Sequence, residues 1–155
     1  MNISPDLLHT AGKGNRTAQY QLYQVCYPVL MSVCRRYRSN EDEAAAALND
    51  CFLRILQNLH RYQAEVPFVA WIRRIQINIL TDLFRKEAKW RSQVSLVESV
   101  EQQSDALLVD WNEADQQYDA EQLENLLLQL PPVSRQVFNL FALDGYSHAE
   151  IGAML

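Results

Sequence analysis

The longest regular hydrophobic pattern in the chain lies between Phe68 and Lys86. Phe68, Ile72, Ile75, Ile79 and Leu83 recur at three- and four-residue steps, which predicts one long helix with a buried apolar stripe. Pro67 suits its first turn, where a missing N–H costs no hydrogen bond. Arg73, Arg74, Asn78, Asp82, Arg85, Lys86 and Lys89 fall off that stripe. Most charged helix faces are simply solvated, and this one also has the cations and amide that suit phosphates and base edges.

The same periodicity predicts helices on either side. Residues from Ser4 to Asn15 form a short helical arm that breaks at Gly12-Lys13-Gly14. From Thr17 to Tyr37, Leu22, Cys26, Val29, Leu30, Val33, Cys34 and Tyr37 share a face, and Pro28 is expected to kink or split that helix. Arg35, Arg36 and Arg38 sit at its end, where the helix dipole favours cations. Asn40-Glu-Asp-Glu43 reads as a capping box opening the next helix. Its stripe is Ala44, Ala47, Leu48, Cys51, Phe52, Ile55, Leu56 and Leu59, with Asn49, Asp50 and Arg54 outside. A polar loop from Arg61 to Glu65 leads into the Phe68 helix.

Between Ser92 and Asp119 the periodicity fades into a linker, with one short anchoring turn near Leu107 to Trp111. Helical pattern returns at Glu121–Leu130 and stops at Pro131-Pro132. It resumes with Val133, Val137, Phe138, Leu140 and Phe141, and Gly145 suits a C-terminal cap. Ser147-His-Ala-Glu150 is a second capping box, opening a helix with Ile151 and Leu155 on its apolar side. The fold class is therefore all-α.

Charge changes this picture. The net charge is -5, yet Trp71 to Arg91 holds six cations against two anions, a local +4. Ser92 to Leu130 holds nine acids and no Lys or Arg. An acidic chain thus hides a basic element, and nucleic acid stays a candidate partner. The acidic segment reads equally as a solvated spacer or as a segment whose carboxylates compete with phosphates for the same cations.

Other chemistry is sparse. Cys26, Cys34 and Cys51 fall on apolar helix positions without a CxxC pair, as buried reduced thiols do. His9, His60 and His148 are scattered, so no metal or other cofactor is expected. No phosphate loop or nucleophile elbow occurs, which argues against an enzyme. There is no signal-peptide pattern, and no apolar run approaches the ~18 residues of a membrane span. The expectation is a cytoplasmic chain without membrane insertion.

Two blocks resemble bacterial RNA polymerase sigma factors of the sigma-70 family, extracytoplasmic-function (ECF) type. The first, from about Gln19 to Arg91, contains Asn49-Asp50-Cys-Phe52-Leu53-Arg54. It continues with Tyr62-Gln-Ala-Glu-Val-Pro-Phe68-x-x-Trp71-Ile-x-Arg74-Ile75-x-x-Asn78. The second is Leu130-Pro131-x-x-x-Arg135-x-Val137-Phe138 followed by Gly145-Tyr146-Ser147-x-x-Glu150-Ile151. The resemblance implies a helical sigma domain two over 1–91, an acidic linker over 92–118 and a partial sigma domain four over 119–155. That last part is a helix-turn-helix truncated at Leu155, before its recognition helix.

Roles follow from the resemblance by position. Asn49, Asp50, Leu53 and Arg54 would meet core RNA polymerase at its clamp helices. Arg73, Arg74, Asn78, Arg85, Lys86 and Lys89 would meet the minus-ten element of promoter DNA. Tyr62 and Gln63, in the loop from Tyr62 to Pro67, would help hold a base flipped from the non-template strand. Trp71 stays open between core packing and a base contact.

Several positions depart from the family pattern. Ala46 replaces an acid, Asn49 replaces Gln, and Ala64 stands where Gly is usual, so polymerase contact and loop turn are both altered. The function implied is promoter recognition and DNA melting in transcription initiation. The alternative is a sigma-like helical interaction module, binding polymerase or an anti-sigma factor without reading promoters. An uncovered apolar patch at Val137, Phe141, Ile151 and Leu155 would be covered by the first lobe or by self-association.

Overall fold

The computed structural model describes residues 3–94 and 120–155. All regular structure among them is helical: α1 (Pro5–Gly12), α2 (Arg16–Tyr37), α3 (Glu41–Asn58), α4 (Phe68–Val94), α5 (Ala120–Gln129), α6 (Pro132–Phe138) and α7 (His148–Met154). A 3-10 turn, Leu59–Arg61, follows α3, and a π-helical turn, Asn139–Leu143, follows α6. The chain divides into two compact units, Met1–Phe84 and Arg85–Leu155. The anchoring turn expected near Leu107 to Trp111, and most of the acidic segment, lie outside the described residues.

The core of the first unit is made by α2, α3 and the first turns of α4. Leu22, Leu30, Leu48, Ile55, Ile72 and Leu80 are fully enclosed, each stabilising the fold by roughly 1.5–3 kcal/mol. Ala44 and Ala47 keep α3 thin where it meets α2. The expected short arm, α1, is docked on α2: Ala11 is buried, and Gln19 Nε2 donates to the Ala11 carbonyl at 3.1 Å.

α2 runs unbroken through Pro28, so the expected split does not occur. Pro28 and Gln24 are both exposed. The Gln24 carbonyl, denied an amide partner by the proline, can therefore turn to water. Asn40 Oδ1 caps α3 by accepting from the Glu43 N–H at 2.9 Å. Glu43 reaches back one residue further than a capping box requires, accepting from the Ser39 N–H at 3.3 Å. The Arg35 guanidinium grips Glu41 across the α2–α3 corner at 2.8 Å and holds its carboxyl below the ordinary range.

The buried face of α4 is rotated from the expected one. Phe68 and Ile72 are buried as read, but Ile75, Ile79 and Leu83 are only half-buried. Gln76, Ile77, Leu80 and Thr81 take their place. The reason is Gln76: its amide donates to the Leu30 carbonyl at 2.6 Å and to Cys34 Sγ at 3.1 Å. A satisfied polar group can occupy the centre of an interface that a hydrophobic pattern assigns to its flanks.

In the second unit Gly145 (φ 78°) supplies the left-handed residue before α7. The Tyr146 N–H then reaches back to the Leu140 carbonyl at 2.9 Å. Ser147 and Glu150 form the full capping box. Of the four side chains expected to be covered, Ile151 is buried and Val137 half-buried. Phe141 and Leu155 are exposed, and Phe141 instead stacks on His148 with ring centroids 4.3 Å apart.

Candidate nucleic-acid interface

The loop entering α4 is fixed from within. The Tyr62 N–H donates to the Leu59 carbonyl at 3.1 Å, and the Val66 N–H to the Gln63 carbonyl at 3.1 Å. The Tyr62 hydroxyl closes the loop by donating to the Val66 carbonyl at 2.8 Å. Its ring meets Phe68 edge-on at 5.1 Å and Trp71 at 5.3 Å, and Phe68 lies 5.7 Å from Trp71. These three aromatics anchor the loop to the first turn of α4 and give Trp71 a packing role. Gln63 is left exposed at the tip. Ala64 has no positive φ, so the turn forms without the glycine usual in the family.

Along α4, Arg74, Asn78, Asp82, Arg85 and Lys89 are all exposed. Their spacing is i, i+4, i+8, i+11 and i+15, so they line one side of the helix, opposite buried Gln76 and Leu80. Lys86 flanks that row. Arg73 is exposed but projects well off it, about 140° around the axis from Asn78. The helix brings four of the six expected α4 contacts into one stripe and leaves Arg73 elsewhere. Asp82 interrupts the cations, so the row is not a uniform basic strip.

A second surface lies on α2 and α3. Asn49, Asp50, Leu53 and Arg54 are exposed as expected, with Leu53 at 55%. They make two rows: Asn49 with Leu53, and Asp50 with Arg54. Beside them is an aromatic row on α2, outside the apolar stripe expected from the sequence. The Tyr23 hydroxyl donates to Asn49 Oδ1 at 3.5 Å, and its ring packs edge-on against Phe52 at 5.0 Å. Tyr27 lies 5.8 Å from Tyr23, and Tyr20 is 63% exposed. The signal was present: three tyrosines at i, i+3 and i+7, next to the core stripe.

The cysteines are free, buried and structural. Burial pushes the Cys26 thiol up to about 12. Cys34 is held below the usual thiol range by hydrogen bonds from Cys51 and then Gln76, while Cys51, the donor, is pushed up.

The family model for Sigma-70 region 2 matches residues 22–91, and that for Sigma-70 region 4 matches residues 120–155. The chain belongs to the sigma-70 family of transcription initiation factors, with the features of its ECF type. It is similar to "ECF RNA polymerase sigma factor SigE" of Mycolicibacterium smegmatis (strain ATCC 700084 / mc(2)155), 27% identical over 124 residues. That match covers 77% of this chain and 46% of the relative, so the chain spans about half the relative's length. Among solved structures, "Structure of CnrH in complex with the cytosolic domain of CnrY" matches with a TM-score of 0.49 and 24% identity. That match covers 96% of this chain and 79% of the other. No helix among the described residues is long and apolar enough to cross a membrane.

Proposed function

We propose that this chain binds core RNA polymerase in the cytoplasm through the α2–α3 surface and contacts promoter DNA through α4 and the Tyr62–Pro67 loop. The observation that carries this reading is the exposed stripe Arg74–Asn78–Arg85–Lys89 on the helix that the Tyr62 loop enters. Arginine and lysine hold phosphates, the Asn78 amide reads a base edge, and the internally bonded loop supports capture of a base that has left its stack. Tyr20, Tyr23, Tyr27 and Leu53 give the opposite partner, the polymerase clamp, an aromatic and apolar surface of the kind that carries interface energy. Domain two in this reading is 1–91, and domain four begins at 119.

The test is open-complex formation with core polymerase on promoter DNA, read by permanganate reactivity of unpaired thymines. Opening that depends on this chain, and that Asn78→Ala diminishes, supports the reading. Polymerase binding without any opening leaves the interaction-module reading instead.

That second reading has its own support. Val133, Phe138 and Phe141 of the second unit are exposed, Val133 at 60%. An apolar face of this kind suits a protein partner, either an anti-sigma factor or a second copy of the chain. A rise in mass with concentration, measured by sedimentation, identifies the second copy.

A further inference from the structure

Trp90 is the one exposed aromatic side chain of α4, where Phe84 is half-buried. Phe68 and Trp71 pack with Tyr62. Trp90 is 66% exposed, and among the described residues it has no ring, hydrogen-bond or cation partner. A large flat apolar face is thus left in water on a rigid helix.

Its neighbours are cations. Lys86 lies at i−4 and shares a helix face with Trp90, and Lys89 lies at i−1. Both lysines are exposed, and among the described residues neither is paired with a carboxylate. Arg91 is exposed as well, and its Nε donates to the Glu87 carbonyl at 3.4 Å.

We propose that Trp90, with Lys86 and Lys89, is a stacking platform for an unpaired base of single-stranded DNA. This extends the promoter-binding reading and rests on α4 facing DNA. One ligand satisfies all three groups: the base covers the indole, and the phosphates on either side of it meet the two ammonium groups. An acidic peptide would satisfy the lysines and leave the indole wet. Duplex DNA would supply phosphates but no free base face, since its bases already stack on one another. The platform therefore prefers single strands, and it is tolerant of sequence because every base has a π-face.

The experiment uses the full chain and a labelled thymidine oligomer of about twelve nucleotides, with a duplex of equal length as control, read by fluorescence anisotropy. Trp90→Ala should weaken single-strand binding by roughly 5- to 150-fold. It should leave the salt slope and duplex binding unchanged. Trp90→Phe should restore most of the affinity. Lys86→Ala with Lys89→Ala should instead lower the salt slope by about 1.4, two phosphates at ~0.7 each. Circular dichroism of each variant checks that α4 stays helical. Wild-type affinity in Trp90→Ala overturns the proposal, as does equal loss on single strand and duplex, or failure of Trp90→Phe to recover. Tighter binding by Trp90→Ala also overturns it, because the indole then holds a segment of its own chain. Open-complex formation separates the two levels. If Asn78→Ala loses opening and Trp90→Ala does not, only the platform falls. If neither variant changes opening, the promoter-binding reading falls with it.

Discussion

The Gln76 amide donates to the Leu30 carbonyl at 2.6 Å, joining α4 to the middle of α2 inside a mostly apolar core. The other end of the same amide, Oε1, is buried with no partner. Removing the whole group therefore costs less than removing its volume. Gln76→Leu is expected to change stability by less than about 1 kcal/mol, because the unpaired oxygen leaves along with the donor. Gln76→Ala adds a cavity and should cost about 2–4 kcal/mol. Urea unfolding of both variants checks this, and equal losses would contradict it.

Tyr62 carries two separable functions, a ring that packs on Phe68 and Trp71 and a hydroxyl that closes the loop on Val66. Tyr62→Phe keeps the ring, so it should lose only about 0.5–1.5 kcal/mol of stability. Its effect on promoter opening should be larger than its effect on polymerase binding, because the loop loses its closing bond. Tyr62→Ala should destabilise the first unit itself. Thermal melts together with permanganate footprinting separate these outcomes.

Arg74 and Asn78 sit one helical turn apart on the exposed stripe and should fail differently. Arg74→Ala should weaken binding to all DNA sequences and lower the salt slope by about 0.9 on duplex. Asn78→Ala should change base preference, since an amide reads base edges. A selection from a randomised minus-ten library, done at two salt concentrations, measures both. Unchanged preference in Asn78→Ala would remove it as a reader.

The start of α7 gives a pH prediction. The Glu150 carboxylate accepts from the Ser147 N–H at 2.8 Å, and that bond, with one from the Ser147 hydroxyl, holds its pKa below the ordinary value. A depressed carboxyl stabilises the fold above its unfolded pKa of roughly 4.3, and that contribution is lost as pH falls through the folded value. Glu150→Gln should therefore melt lower than wild type at neutral pH and equally at low pH. A constant difference across the range would show that the charge is not involved.

Much of this architecture can be read from the chain because its helix ends are chemically marked. Asn40, Pro67, Pro132 and Ser147 each mark a helix end through their side chains, and Gly145 does so by lacking one. Pro28 does not split α2, because a proline is tolerated where the freed carbonyl can face water. The face of α4 misleads: hydrophobic counting passes over a glutamine whose partners come from a helix more than forty residues away. The candidate site divides the same way. Asn49, Leu53, Arg74 and Asn78 stand out in sequence, and the structure leaves them exposed. Tyr23 does not stand out, since only the meeting of α2 with α3 brings its hydroxyl to Asn49.

The sealed thiols have a practical consequence. Cys26, Cys34 and Cys51 are completely enclosed, so maleimide reagents have no route to them while the protein is folded. A reporter dye can then be attached through Gln63→Cys at the exposed loop tip with all three native cysteines left in place. Emission from that single dye would follow the loop in real time during promoter opening, in a molecule whose interior chemistry has not been altered.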